Sequence, residues 1–257
     1  VSNIYRGTSE VSAVKVGSVD AESVYVGSEL VWPTGDPYWS SVVTLIQGDD
    51  QATGSTKITD TGPLHLTWTA GSGCAVSQSV FKYGAGSIYF SGVSSSQVTA
   101  ASAATNFQFG FNSFTVEFWL YCGALNFNPV DFRPASTNGN YPTIAVDANG
   151  ALVYFVNNAA RIQSANGAIA TSTWYHIAWS REAGVGSRLF LNGVQVGSTY
   201  NDSGISYVAA GNRPIFGSNG FNTSLNKMSG CLDDIRITKA ARYTSNFTPP
   251  SKAFPTS

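Results

Sequence analysis

Charge is scarce in this sequence. Only 11% of its 257 residues are charged, and 14 Lys+Arg set against 15 Asp+Glu leave a formal net charge of -1. Such a chain has no basic footprint for nucleic acid and no polybasic patch for anionic lipid, so neither nucleic acid nor membrane is expected as a partner. No apolar run approaches the roughly 18 residues of a helical membrane span, and no charged-then-apolar leader opens the chain. Three cysteines, Cys74, Cys122 and Cys231, stand far apart, with no CxxC pair and no metal-ligand spacing. An odd, scattered set excludes a disulfide framework and predicts buried structural thiols of a protein made in a reducing cytoplasm. Two histidines, His65 and His176, sit in no recognisable Ser/His/Asp or Cys/His arrangement. Long stretches with a 3.6-residue period are missing too, which removes the crossover helices of a parallel sheet.

The chain does have apolar and turn-forming residues. It is 43% hydrophobic and 13% aromatic, with 26 glycines, enough to bury one large β domain with an appendage. Nine segments rich in β-branched and aromatic residues are predicted as strands: 41–46, 87–90, 114–121, 143–147, 151–156, 174–181, 187–192, 194–198 and 232–237. Asn149-Gly150 and Asn192-Gly193 each separate two of them and predict two-residue hairpin turns, because this pair tolerates positive φ. A short helical turn is expected over Lys239–Tyr243.

The first thirty-odd residues repeat themselves. VSNIYRGTSE, VSAVKVGSVD and AESVYVGSEL bring glycine back at Gly7, Gly17 and Gly27. Alternation places Ile4, Val14, Val16, Val24 and Val26 on one side of a small meander, followed by Trp32. A segment this short cannot bury enough surface to stand alone, so these six residues are the expected assembly surface. The expected division is 1–33 for β-repeat attachment or oligomerisation, 34–40 as linker and 41–257 as the main domain.

Three stretches carry a family resemblance: FTVEFWLY, then TWYHIAWSR with RLFLNGVQV, then GCLDDIRITKAARYTSNFTPP, in that order. They resemble the concanavalin A-like, laminin-G-like jelly roll over residues 41 to 254. That resemblance implies an all-β, two-sheet antiparallel sandwich, an architecture shared by lectins, glycoside hydrolases, adhesion modules and spacers. The terminal R-x-T-K-A-A-R-Y strand and the repeated leader look like laminin-G-like domains of tailed-bacteriophage virion proteins. The resemblance implies a non-enzymatic structural protein on the virion surface, of capsid-decoration or cement type. Expected partners are two further copies of itself in a homotrimer and a major capsid or tail protein. The alternative is a receptor- or glycan-binding tail-fibre lectin, with polysaccharide hydrolysis more remote.

The chemistry-bearing residues are few. Retaining glycoside hydrolysis needs two carboxyl groups about 5–5.5 Å apart, whereas Glu117 in FTVEFW has no second acid on its strand, so no catalytic residue is assigned. His176 reads as a hydrogen-bonded sheet residue. No cofactor is expected; calcium is the one candidate, with oxygens available at Asp147, Asn149, Asn201, Asp202, Asn219, Asn222, Asp233 and Asp234. Ligand or partner contact is expected at the two longest aromatic-bearing loops, through Phe127, Arg133 and Tyr141 of the first and Arg213, Phe216 and Phe221 of the second.

Overall fold

A computed structural model describes residues 35–101 and 104–257, together with short strands between residues 5 and 32 for which backbone pairing alone is given. The chain divides into two compact units, Val1–Ser40 with Phe254–Ser257, and Ser41–Ala253.

In the first unit the repeats form hairpins. Strands β1 (Tyr5–Arg6) and β2 (Ser9–Glu10), β3 (Lys15–Val16) and β4 (Val19–Asp20), and β5 (Val24–Val26) and β6 (Glu29–Trp32) make three separate two-stranded sheets. Arg6 pairs with Ser9, Val16 with Val19 and Val26 with Glu29, leaving two residues in each connection. Those residues are Gly-Thr, Gly-Ser and Gly-Ser, the composition of a Gly-X two-residue hairpin loop. The expected meander is therefore corrected: the two short strands of each ten-residue unit pair with each other in a separate sheet, because they are nearer in sequence to one another than to the next unit's first strand. Of the expected assembly residues, Ile4 and Val14 lie outside the described residues, as do the side chains of Val16, Val24, Val26 and Trp32.

The second unit is an all-β sandwich of two antiparallel eight-stranded sheets. Its strands are β7 (Val42–Ile46), β8 (Lys57–Ile58), β9 (Trp68–Ala70), β10 (Cys74–Ser77), β11 (Ser87–Ser91), β12 (Val98–Ala100), β13 (Phe114–Cys122) and β14 (Phe127–Asp131). They continue with β15 (Thr143–Val146), β16 (Leu152–Val156), β17 (Ala159–Gln163), β18 (Trp174–Glu182), β19 (Gly186–Leu191), β20 (Val194–Tyr200), β21 (Ile215–Phe216) and β22 (Ser229–Thr238). The first sheet runs β10-β11-β22-β13-β18-β19-β20, with β7 also paired to β22; the second runs β17-β16-β15-β14-β21-β12-β9-β8. Alternation points Val116, Phe118 and Leu120 of β13 and Ile177 and Trp179 of β18 inward, where they meet Ile144, Leu152 and Tyr154 of the second sheet in one buried core. Trp179 is its aromatic hinge, stacked on Tyr154 at 4.8 Å and edge-on to Phe114 at 4.4 Å.

All nine predicted strands are present, and the turns between them refine the expectation. Asn192 and Gly193 both adopt positive φ between paired Leu191 and Val194, the two-residue turn expected there. Around Asn149-Gly150 the hairpin forms through a longer loop, in which the Asp147 carboxylate accepts the amides of Asn149 and Ala151, each at 2.8 Å. Lys239–Tyr243 forms no helical turn; its polar groups bond to the outer face of the first sheet instead. Thr115 Oγ1 donates to the Ala240 carbonyl at 2.8 Å and accepts the Arg242 amide at 2.9 Å. Farther on, the Phe247 amide donates to the Gly193 carbonyl and Tyr243 stacks on Phe247 at 3.6 Å. The segment after β22 is thus a strap across that face.

Candidate functional site

Glu117 lies beneath the strap. It is 0% exposed, and Arg236 reaches its Oε1 through Nε and Nη2, both at 2.9 Å. Tyr243 donates to Oε2 at 2.8 Å, His176 Nε2 stands 3.4 Å from that oxygen, and Arg242 Nε is 3.5 Å from Oε1. Burial alone would raise the carboxyl's pKa. The Arg236 charge, the His176 hydrogen bond and the Arg242 charge outweigh it and hold the group well below the usual glutamate range. A carboxylate sealed this way is a buried ion-pair anchor for the strap. Both oxygens are occupied, leaving neither a nucleophile open to substrate nor a proton to donate.

The outer face of the second sheet is the open one. Trp68, Val98 and Phe216 turn into the core, so their neighbours Thr69, Thr99 and Ile215 turn outward. The register continues them as one row across the sheet, Thr69–Thr99–Ile215–Asp131–Thr143–Phe155. Along its first half runs an open groove of about 380 Å³, walled by Gln97, Asn212, Arg213 and Thr223 around Thr69, Thr99, Ala101 and Ile215. Its lining is hydroxyls, amides and one guanidinium over a small apolar floor, a set suited to hydrogen-bonding a polyhydroxylated ligand.

Both aromatic-bearing loops converge beside this groove. Asp131 anchors them: its carboxylate receives Arg133 Nη2 at 2.6 Å, the Gly220 amide at 2.8 Å and the Thr143 hydroxyl at 2.9 Å. Arg133 reaches Asn219 of the second loop at 3.2 Å and lies over the rings of Phe155 and Phe221, at 5.4 and 5.8 Å from their centroids. Arg213 Nε and Nη2 donate to the carbonyls of Arg133 and Gly220. Position 220 is glycine for space, since a Cβ there would sit 2.6 Å from the Arg133 carbonyl oxygen. Burial depresses the Arg213 guanidinium pKa, with the Asp131 charge opposing.

The structure thus brings Arg133, Arg213 and Phe221 together and leaves Tyr141 half-buried against the core. Phe127 and Phe216 are different: they are 1% and 0% exposed and present no surface to a ligand. They open β14 and close β21, two short strands, one with Pro129 inside it and the other preceded by Pro214, whose sequences read as loop. Gln97, Asn212 and the threonines of the groove carried no signal, because polar strand residues gain meaning only once register sets them in one row. Several of the candidate calcium oxygens already have partners within the chain. Asp147 is spent on its turn, Asp202 pairs with Arg181 at 3.2 Å, and Asn219 Oδ1 accepts from Arg133 and the Asn222 amide. Among the described residues no group of three or more His, Cys, Asp or Glu is placed to hold a metal ion. Cys74, Cys122 and Cys231 are free and buried, and burial pushes the Cys74 thiol up to about 12.

Similar architectures carry binding roles in other proteins. The binding domain of Paraclostridial Mosquitocidal Protein 1 superposes with a TM-score of 0.61 at 15% identity, over 80% of this chain and 50% of that one. A botulinum neurotoxin type C structure, described as dependent for cell entry on interaction with two ganglioside molecules, gives 0.61 at 12%, over 80% and 49%. Domain 4 of AbnA, a GH43 extracellular arabinanase from Geobacillus stearothermophilus in complex with arabinotriose, gives 0.55 at 16%, over 78% and 93%. The chain spans about half the length of the two toxin chains, and at these identities the likeness is one of fold. Among curated proteins, none matches this sequence. A family model does match, over residues 80–245, which is more than half of the chain and includes strands of both sheets. The chain belongs to the concanavalin A-like lectin/glucanases superfamily, in its Laminin_G_3 branch.

Proposed function

We propose that the Ser41–Ala253 unit is a non-catalytic binding module for saccharide, taken in the groove on the outer face of the second sheet. The observation that carries this reading is the groove itself, an open channel lined by Gln97, Asn212, Arg213 and threonine hydroxyls. The sealing of Glu117 supports the non-catalytic half, and the arabinotriose-bound arabinanase domain supports the ligand class by its shared fold. The chemistry required is hydrogen bonding and needs no metal. A glycan array probed with the full chain tests it: bound glycans are expected to be lost from Gln97→Ala and Asn212→Ala proteins and kept in EDTA. Binding untouched by either substitution overturns the groove assignment.

The three consecutive hairpins favour a second reading that is compatible with the first. In it, residues 1–33 attach a homotrimer to a capsid or tail protein, and the jelly roll is displayed on the virion surface. Chain lacking residues 1–33 should then fail to join the particle and should run as a monomer by light scattering. Normal incorporation of the shortened chain defeats this reading.

A further inference from the structure

The outer face of the first sheet is only partly strapped. Phe90, Leu120 and Leu232 enter the core, so Tyr89, Tyr121 and Cys231 face outward. Register aligns them across neighbouring strands: Tyr89 opposes Cys231, Cys231 opposes Tyr121, and Tyr121 opposes Trp174. With strands about 4.8 Å apart, the three rings span roughly 15 Å in a line perpendicular to the strands. Tyr89 is 42% exposed, Tyr121 and Trp174 are half-buried, and these last two rings lie 5.5 Å apart. Cys231, between the tyrosines, is 2% exposed and adds no ring of its own to the line.

One pleat away, the next outward row holds Asp233 and Trp119, and a loop crosses it. The amides of Lys82 and Tyr83 donate to Asp233 Oδ2 at 2.7 and 3.1 Å, and Tyr83 packs edge-on to Trp119 at 5.5 Å. Lys82 Nζ is held 4.4 Å from the Trp119 ring centroid. Phe81, beside it, is 38% exposed. The loop therefore forms a wall along the aromatic line with an ammonium group at its foot. The carboxylates behind it, Asp233 and Asp234, are each 1% exposed, and the half-buried Asp49 takes the amides of Ala85 and Gly86 farther along the loop, so the ammonium of Lys82 is the charge beside the aromatic line.

We propose that this shelf is a second saccharide site, for an acidic polysaccharide whose sugar rings lie on Tyr89, Tyr121 and Trp174 while a carboxylate pairs with Lys82. Aromatic faces accept the apolar C–H face of a sugar ring, and a line of rings matches a chain better than a single sugar. The cation selects an acidic chain over a neutral one through a charge-assisted hydrogen bond. The site shares its ligand class with the proposed groove and none of its residues, so each can fail alone.

Affinity electrophoresis of the full chain in native gels containing polygalacturonate, alginate or hyaluronan, with dextran as the neutral control, tests the proposal. At least one acidic polymer should retard the protein and dextran should not. Tyr89→Ala and Tyr121→Ala should each weaken that retardation about tenfold, and Lys82→Gln several-fold. Gln97→Ala should leave it unchanged. Tyr89 is exposed enough for its variant to fold, which near-UV circular dichroism checks. Trp174→Phe should keep binding but lose the ligand-induced change in tryptophan fluorescence. Absence of retardation by all three acidic polymers overturns the proposal, as does retardation that Tyr89→Ala and Lys82→Gln leave at the unsubstituted level.

Discussion

Two buried acids in this protein respond to their surroundings in opposite directions. Glu117 is held below its ordinary range by Arg236 and Arg242 against the cost of burial, so its contribution to stability is present above the unfolded value near 4.5 and is lost as pH falls. Asp233 is pushed up to about 8 by burial and then by the charge of Asp234, against three backbone amides that favour its ionised form. It binds a proton in the folded state that the unfolded chain releases near pH 4, so stability drains away as pH rises from there to about 8. Asp234→Asn should flatten this slope. Asn tolerates the φ of 47° at that position and keeps an oxygen for the Gln47 side-chain amide. Melting temperatures at pH 5 and pH 8.5 provide the check: the variant should lose less than the parent between the two. Sequence reading found Glu117 on its strand and assigned it no catalytic role, yet it could not name the partners. Arg236 and Tyr243 are 119 and 126 residues away, and only register brings them over it.

At the level of elements, strands announced themselves where they were long and apolar. Several short ones, β8, β9, β10, β12, β14, β17 and β21, were hidden because each is completed by its neighbours rather than by its own pattern. The turn between β16 and β17 was hidden as well. Asn157 and Asn158 take φ of 51° and 57° between paired Val156 and Ala159, a two-residue hairpin turn made without the glycine that usually signals one. The strap is the clearest case of tertiary override, since Lys239–Tyr243 has helical composition and forms no helical turn because Thr115 and Glu117 offer better partners. Tyr243→Phe removes the hydroxyl that satisfies Glu117 Oε2 and keeps the stacking ring. It should cost about 1–3 kcal/mol, read from urea unfolding, because the buried carboxylate oxygen loses a donor.

For the whole molecule, the sandwich and its family were legible in three motifs, whereas both candidate binding faces emerged only after folding. A face is assembled from single residues of five or six strands, each unremarkable in its own segment. The compact division at Ser41 and Ala253 predicts that a 41–253 fragment folds by itself. It should unfold in one cooperative transition with a near-UV spectrum matching the full chain's contribution from these residues. A fragment with broad, non-cooperative melting would contradict that division.

The position of β22 also affects how this protein is made. It pairs with β7, β11 and β13, so the middle of the first sheet cannot close until the chain has been made through β22. Until then β7 lacks that pairing partner, and Glu117 lacks Arg236, Arg242 and Tyr243. Folding of the first sheet must wait for β22, far along the chain from β7, with long-range pairing that is slow to form. Translation stalled before residue 229 would leave a sticky half-sheet, so nascent chains of this protein should depend on holdases that cover unpaired strand edges.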